Sequence, residues 1–206
     1  MLKKARIAVL VSGGGTNLQA LLDAQQNGTL QSGEIALVLS CNPDAYALKR
    51  AEAADVPAVV AWRAELGSAA AFEAKVNQYL EDYRIDLVVL AGFLQILSAD
   101  FTRKWDKRII NVHPSLIPAF CGPGFYGLLV HQAALKRGVK IAGATVHFVN
   151  EITDGGEIIL QKAVDVLPGD TPELLQKRVM EQAEWIILPQ AAEMVSARIA
   201  QNREEK

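Results

Sequence analysis

The stretch RIAVLVSGGGTN, Arg6 to Asn17, decides the fold. Arg6 to Val11 is a continuous apolar run, the mark of a strand buried on both faces. It feeds directly into Ser12-Gly13-Gly14-Gly15, a tight turn. Thr16 or Asn17 then caps a helix that carries Leu18, Leu21 and Leu22 on one face and stops near Asn27-Gly28.

The unit then repeats. Ile35–Ser40 reads as a second buried strand, Ala45–Ala54 as a short helix and Val56–Val60 as a third strand. Ser68–Tyr83 is a helix with Phe72, Val76, Tyr79 and Leu80 inward, Leu87–Leu90 a fourth strand and Arg108–Val112 a fifth. Strands alternating with helices over short links predict a parallel sheet covered on both faces, with right-handed crossovers.

Past residue 124 the pattern changes. Gly124 to Lys136 reads as helical. Ile141–Asn150 and Glu157–Val166 alternate more strongly and are joined by Thr153-Asp154-Gly155-Gly156, which predicts two antiparallel strands added to the sheet. Pro172 sits at a helix start, and Glu173–Gln201 reads as one or two closing helices around Pro189. The expected class is α/β, a Rossmann-like open twisted sheet, mostly parallel, in one domain over 1–206.

Half of the 206 residues are apolar, 21% are charged and the formal net charge is −2. No clustered basic face marks a nucleic-acid partner. The run Leu87 to Ala99 is shorter than the ~18 residues of a membrane span, and Ile7–Val11 is too short for a signal-peptide core. These features predict a cytoplasmic protein with small-molecule partners only, monomeric or homodimeric. Cys41 and Cys121 have no metal-like spacing, and no H-E-x-x-H is present. No metal is expected.

The glycine turn sits where free N–H groups at a helix start bind phosphate. It is not the dinucleotide fingerprint, since Leu18 stands where G-x-G-x-x-G needs glycine, and the G-K-[ST] of a P-loop is absent. A small phosphorylated metabolite fits better. Asn111 and His113 fall at the carboxyl end of the fifth strand, on the same rim. Residues two apart on a strand share a side, so both can aim at one atom. An amide N–H and an imidazolium so aimed stabilise an oxyanion. A nearby carboxylate, for which Asp154 is the candidate, favours the charged imidazolium. No activated serine or cysteine accompanies them, which points to acyl transfer by direct attack.

Taken together, SGGGTN, AGFLQIL (Ala91–Leu97), NVHPSLIPAF (Asn111–Phe120), HQAAL (His131–Leu135), VHFVNEITDGGEIILQ (Val146–Gln161) and LPGDT (Leu167–Thr171) resemble the phosphoribosylglycinamide formyltransferases over essentially the whole chain. The resemblance implies formyl transfer from 10-formyltetrahydrofolate, a co-substrate, to the glycine amine of 5′-phosphoribosylglycinamide in purine biosynthesis. It implies catalytic roles for Asn111, His113 and Asp154. It places substrate on Gly15, Thr16, Asn17 and Glu184. It places folate against Leu94, Gln95, Ile96 and Leu97, against Asn111, and against Asn150, Glu151, Ile152 and Thr153.

Members of that family often carry arginine where this chain has Gln95, and some carry a basic residue where it has Ser68-Ala69-Ala70. Both departures predict weaker pairing with the folate glutamate tail. The aromatic and glycine content of the segment after Pro118 predicts a mobile flap.

Overall fold

Alternate residues of the first apolar run go to opposite sides of the sheet. In the computed structural model, which describes residues 3–204, Ile7, Val9 and Val11 enter one core while Ala8 and Leu10 enter the other. A strand with both faces dry must lie in the middle, and it does.

In chain order the elements are β1 (Ala5–Val11), α1 (Thr16–Gln26), β2 (Gly33–Ser40), α2 (Ala47–Ala53), β3 (Ala58–Val60), α3 (Arg63–Leu66), α4 (Ala69–Asp82) and β4 (Leu87–Leu90). Then come α5 (Ala99–Lys104), β5 (Ile109–His113), α6 (Leu128–Arg137), β6 (Ile141–Phe148), β7 (Ile158–Asp165), α7 (Pro172–Val179) and α8 (Trp185–Glu204), with a π-helical turn, Met180–Glu184, joining α7 to α8. The seven strands run in the order β3-β2-β1-β4-β5-β6-β7. The first five are parallel, and β6 and β7 are antiparallel to their neighbours. This is the mixed Rossmann-like sheet expected from the strand pattern.

The chain winds outward from β1 to β3 and returns to lay β4 on the other side of β1. The order therefore reverses between β1 and β4, and the crevice beyond their carboxyl ends is where such sheets bind ligands. α1, α2, α7 and α8 pack on the face of Ile7 and Val9; α4 and α5 pack on the face of Ala8 and Leu10.

Several boundaries differ from the sequence reading, each for a local reason. β3 starts at Ala58, because the Val56 N–H is spent closing α2 on Ala51 O at 3.0 Å. α6 starts at Leu128 and not Gly124, because Gly124 and Gly127 hold positive φ of 90° and 52°, which a right-handed helix does not allow. The short helices α3 and α5 have too few turns to show a period; α5 is announced only by Ser98, whose hydroxyl accepts from Phe101 N–H at 3.2 Å. Of the one or two closing helices expected around Pro189 there are two, but the division falls at the π-helical turn Met180–Glu184 and Pro189 lies inside α8. It falls one turn after the π-helical segment, where an irregular hydrogen-bond ladder accommodates a residue with no N–H.

Candidate active site

At the β1–α1 junction neither Thr16 nor Asn17 is the cap. Gly15 occupies the N-cap position at φ 72°, ψ 31°, and no side chain caps the helix. Only glycine fits there. The positive φ disfavours a side chain, and an added Cβ would lie 2.7 Å from the Ala47 Cβ and 2.9 Å from its Cα. The side chain of Asn17 turns away from the helix end and donates from Nδ2 to Glu184 Oε2 at 2.7 Å. The result is a helix start with open N–H groups, suited to an anion.

The same pair ties the first helix to the last. Glu184 is buried in the π-helical turn, and burial pushes its carboxyl above the usual carboxylate range, opposed in part by the Asn17 hydrogen bond. Asn17 Oδ1 is buried with no partner among the described residues.

Across the switch point, Ser12 Oγ accepts from the Leu94 N–H at 2.9 Å, joining the glycine turn to the segment after β4. In that segment Leu94 and Ile96 are 63% and 79% exposed, and Leu97 points into the core. Leu97 therefore offers a ligand its backbone and not its side chain. Ile152, 61% exposed, presents a further apolar surface in the Asn150–Thr153 loop. That loop is shaped by Ile152 N–H donating to Asn150 Oδ1 at 2.9 Å, with Glu151 and Thr153 exposed. Arg63, at the head of α3, reaches Gln95, Nη1 to Oε1 3.4 Å. A guanidinium thus stands beside the segment at Gln95.

On β5, Asn111 and His113 do share a side. Asn111 pairs in register with His147 on β6, and His113 with Thr145. Asp154 comes to them from the β6–β7 connection. Its φ of 55° is in the left-handed region, which aspartate tolerates better than most residues. Gly156 makes the tight return possible, since a Cβ there would sit 1.7 Å from Phe148 O.

The Asp154 carboxylate lies between two imidazoles, Oδ2 3.6 Å from His113 Nδ1 and Oδ1 3.7 Å from His147 Nε2. Gly122 N–H donates to Oδ2 at 2.8 Å. Burial alone would raise this carboxyl, but His147, the Gly122 N–H and the charge of His113 together hold it below the usual carboxylate range.

Hydrogen-bond partners fix the two rings. His113 Nε2 lies 2.9 Å from the Phe120 carbonyl, so Nε2 carries a proton and Nδ1 faces Asp154. His147 Nδ1 lies 2.8 Å from Phe148 O and donates to it, and its Nε2 faces both the Asn111 side-chain amide, at 3.2 Å, and the Asp154 carboxylate. The contact with His147 orients the Asn111 amide and leaves an N–H of it free. The segment from Ser115 to Cys121 is pinned at its base. Ser115 Oγ donates to Ala119 O at 2.6 Å, and Thr145 Oγ1 donates to Ser115 O at 2.7 Å.

His147 completes the cluster, and no signal in the sequence singles it out. It stood within a quoted motif, but only the antiparallel register of β6 on β5 sets it against Asn111 and Asp154. His131 is also close by. It is buried with Nε2 unpartnered, and burial plus the charge of His113 lower its pKa to about 4. It stays neutral at pH 7 and forms an uncharged wall. Among the described residues no group of three or more His, Cys, Asp or Glu side chains is placed to hold a metal ion.

An open α/β sheet with an anion-ready turn on one side of its switch point and an amide, two imidazoles and a carboxylate on the other defines an acyl-transfer type of site. The model of the formyl transferase family matches residues 5–192. A phosphoribosylglycinamide formyltransferase from Haemophilus influenzae is 41% identical over 184 residues, 89% of this chain and 84% of that protein. The crystal structure of glycinamide ribonucleotide transformylase 1 from Symbiobacterium toebii superposes with a TM-score of 0.88 at 44% identity, covering 95% of this chain and 89% of that one. The trifunctional purine biosynthetic protein adenosine-3 of Gallus gallus is 42% identical over 194 residues, 94% of this chain. This chain spans only 19% of the length of that protein. The chain belongs to the formyl transferase family, in its phosphoribosylglycinamide formyltransferase group.

Proposed function

We propose that the protein transfers the formyl group of 10-formyltetrahydrofolate to the amine of 5′-phosphoribosylglycinamide, releasing tetrahydrofolate and the N-formyl product. The observation that carries this reading is the meeting of Asn111, His113 and Asp154, from β5 and the β6–β7 connection, on the same rim as the uncapped glycine turn.

The free amine attacks the formyl carbon and the carbonyl oxygen takes up negative charge. An N–H of Asn111 is the donor left for that oxygen, and a protonated His113, its Nε2–H on Phe120 O and its Nδ1–H facing Asp154, adds its positive charge beside it. Asp154, held ionised, stabilises the imidazolium and accepts a proton from the attacking nitrogen, directly or through water. The leaving nitrogen of the folate takes a proton as the tetrahedral intermediate collapses.

The substrate phosphate belongs on the N–H groups of Gly15, Thr16 and Asn17. Glu184, the carboxyl that Asn17 Nδ2 reaches, then stands toward the glycinamide end of the substrate. Exposed Leu94, Ile96 and Ile152 offer apolar faces for a flat heterocycle, with backbone groups of Leu94–Leu97 and Asn150–Thr153 at its polar edges. Arg63 beside Gln95 supplies a cation for a carboxylate-bearing tail.

Purified protein given both substrates separates this reading from its rivals. Tetrahydrofolate released only in the presence of phosphoribosylglycinamide is the expected result. Release without the amine identifies a hydrolase, and no release at all a binding module; either outcome overturns the proposal.

A further inference from the structure

The glycine turn holds its carbonyls as carefully as it leaves its N–H groups open. Gly13 O accepts from Ala47 N–H at 3.1 Å, and Gly15 O from Gln19 N–H at 2.9 Å. Gly14 O has no backbone partner among the described residues. It accepts from the side chain of Arg50, Nε to O 2.9 Å. A peptide unit is planar and trans, so the carbonyl of one residue and the N–H of the next point in opposite directions. Pulling the Gly14 carbonyl toward Arg50 therefore aims the Gly15 N–H away from Arg50.

Arg50 is itself held in place. Its Nη1 donates to Gln19 Oε1 at 2.9 Å, and its guanidinium lies 5.2 Å from the centre of the Tyr46 ring. Its Cδ would lie 3.4 Å from a Cβ built on Gly15. Among the described residues no carboxylate comes within ion-pair distance of it. Arg6, Arg178 and Arg203 are paired with acids, whereas Arg50, like Arg108 and Arg198, is held by other contacts. A cation left uncompensated beside a row of open N–H groups adds to their attraction for a phosphate dianion.

We propose that Arg50 is a positioning residue for the phosphorylated substrate. It sets the Gly14–Gly15 peptide so that its N–H faces the anion, and it leaves an unpaired positive charge behind the turn. This rests on reading the glycine turn as the phosphate site.

The test is steady-state kinetics with each substrate varied in turn, on wild type, Arg50→Ala and Arg50→Lys. Arg50→Ala raises KM for phosphoribosylglycinamide about tenfold, the scale of one charge-assisted hydrogen bond. KM for 10-formyltetrahydrofolate and kcat stay within about twofold, because the groups around the formyl carbon are untouched. Inorganic phosphate, competing with the phosphorylated substrate, weakens as an inhibitor in the same proportion. Arg50→Lys falls between, keeping the charge but losing the paired donors to Gly14 and Gln19. Equal losses in both KM values and kcat mark a merely structural role and overturn the inference, as does an unchanged KM for phosphoribosylglycinamide. Failure of phosphate to compete in the wild type sinks the phosphate reading of the turn itself, a separate outcome.

Discussion

His131→Gln should flatten the acid side of the stability profile. The wild-type ring sits 1% exposed on α6, beside His113, with its Nε2 unpartnered. In the unfolded chain it titrates near its ordinary value of 6.5, and in the folded protein near 4. Above pH 6.5 the ring is neutral in both states and costs nothing. Between pH 6.5 and 4 the unfolded chain binds the extra proton, so stability falls as pH falls. Below 4 both states are charged and the full loss has been reached. A separation of about 2.5 in pH, at ~1.36 kcal/mol for each, puts that loss on the order of 3 kcal/mol. Urea unfolding at pH 7.5, 6, 5 and 4 measures it. Glutamine cannot take up the proton, so the variant should start less stable or equal at pH 7.5 and then lose up to about 3 kcal/mol less on acidification. Parallel curves for the two proteins would show that the folded ring protonates freely, and the neutral wall would be wrong.

Four further outcomes follow from the site. His113→Ala should cut turnover by about a thousandfold, the scale of one oxyanion-stabilising group, while calorimetry still detects both ligands; near-normal turnover refutes the assignment. His147→Leu removes the ring that orients Asn111 and supports Asp154, so kcat should fall about tenfold or more with both KM values nearly unchanged. Glu184→Gln keeps a group able to accept from Asn17 but carries no charge. Ionisation of the buried wild-type carboxyl costs stability as pH rises, so the variant should be as stable as wild type or more so at pH 8 by thermal melting, while KM for the amine substrate increases. Gly156→Ala places a methyl 1.7 Å from Phe148 O and should cost on the order of 3 kcal/mol in urea, with loss of activity as Asp154 moves.

Much of this protein was legible in its residues. The apolar run Arg6–Val11 with its glycine turn predicted a central buried strand, and the switch to alternation after residue 140 predicted the antiparallel β6 and β7. Asn111 and His113 were readable as a pair because strand geometry fixes the side on which residues two apart appear. Elements of one or two turns were not readable, since α3 and α5 are shorter than a usable period. Nor did the sequence show that Asn17 abandons its own helix end for Glu184. That choice depends on a partner 167 positions away.

What the sequence determined alone was the order of strands and helices, the need for glycine at the β1–α1 turn and the residue types available for chemistry, all set by local periodicity and backbone sterics. Which of those residues meet was decided by the tertiary structure. Asp154 lies between His113 and His147, His147 holds Asn111, and Arg50 reaches Gly14 O because the sheet register and the packing of α2 bring distant segments to one rim. Charge and hydrogen bonding act over a few ångströms, and only the folded chain brings these groups that close.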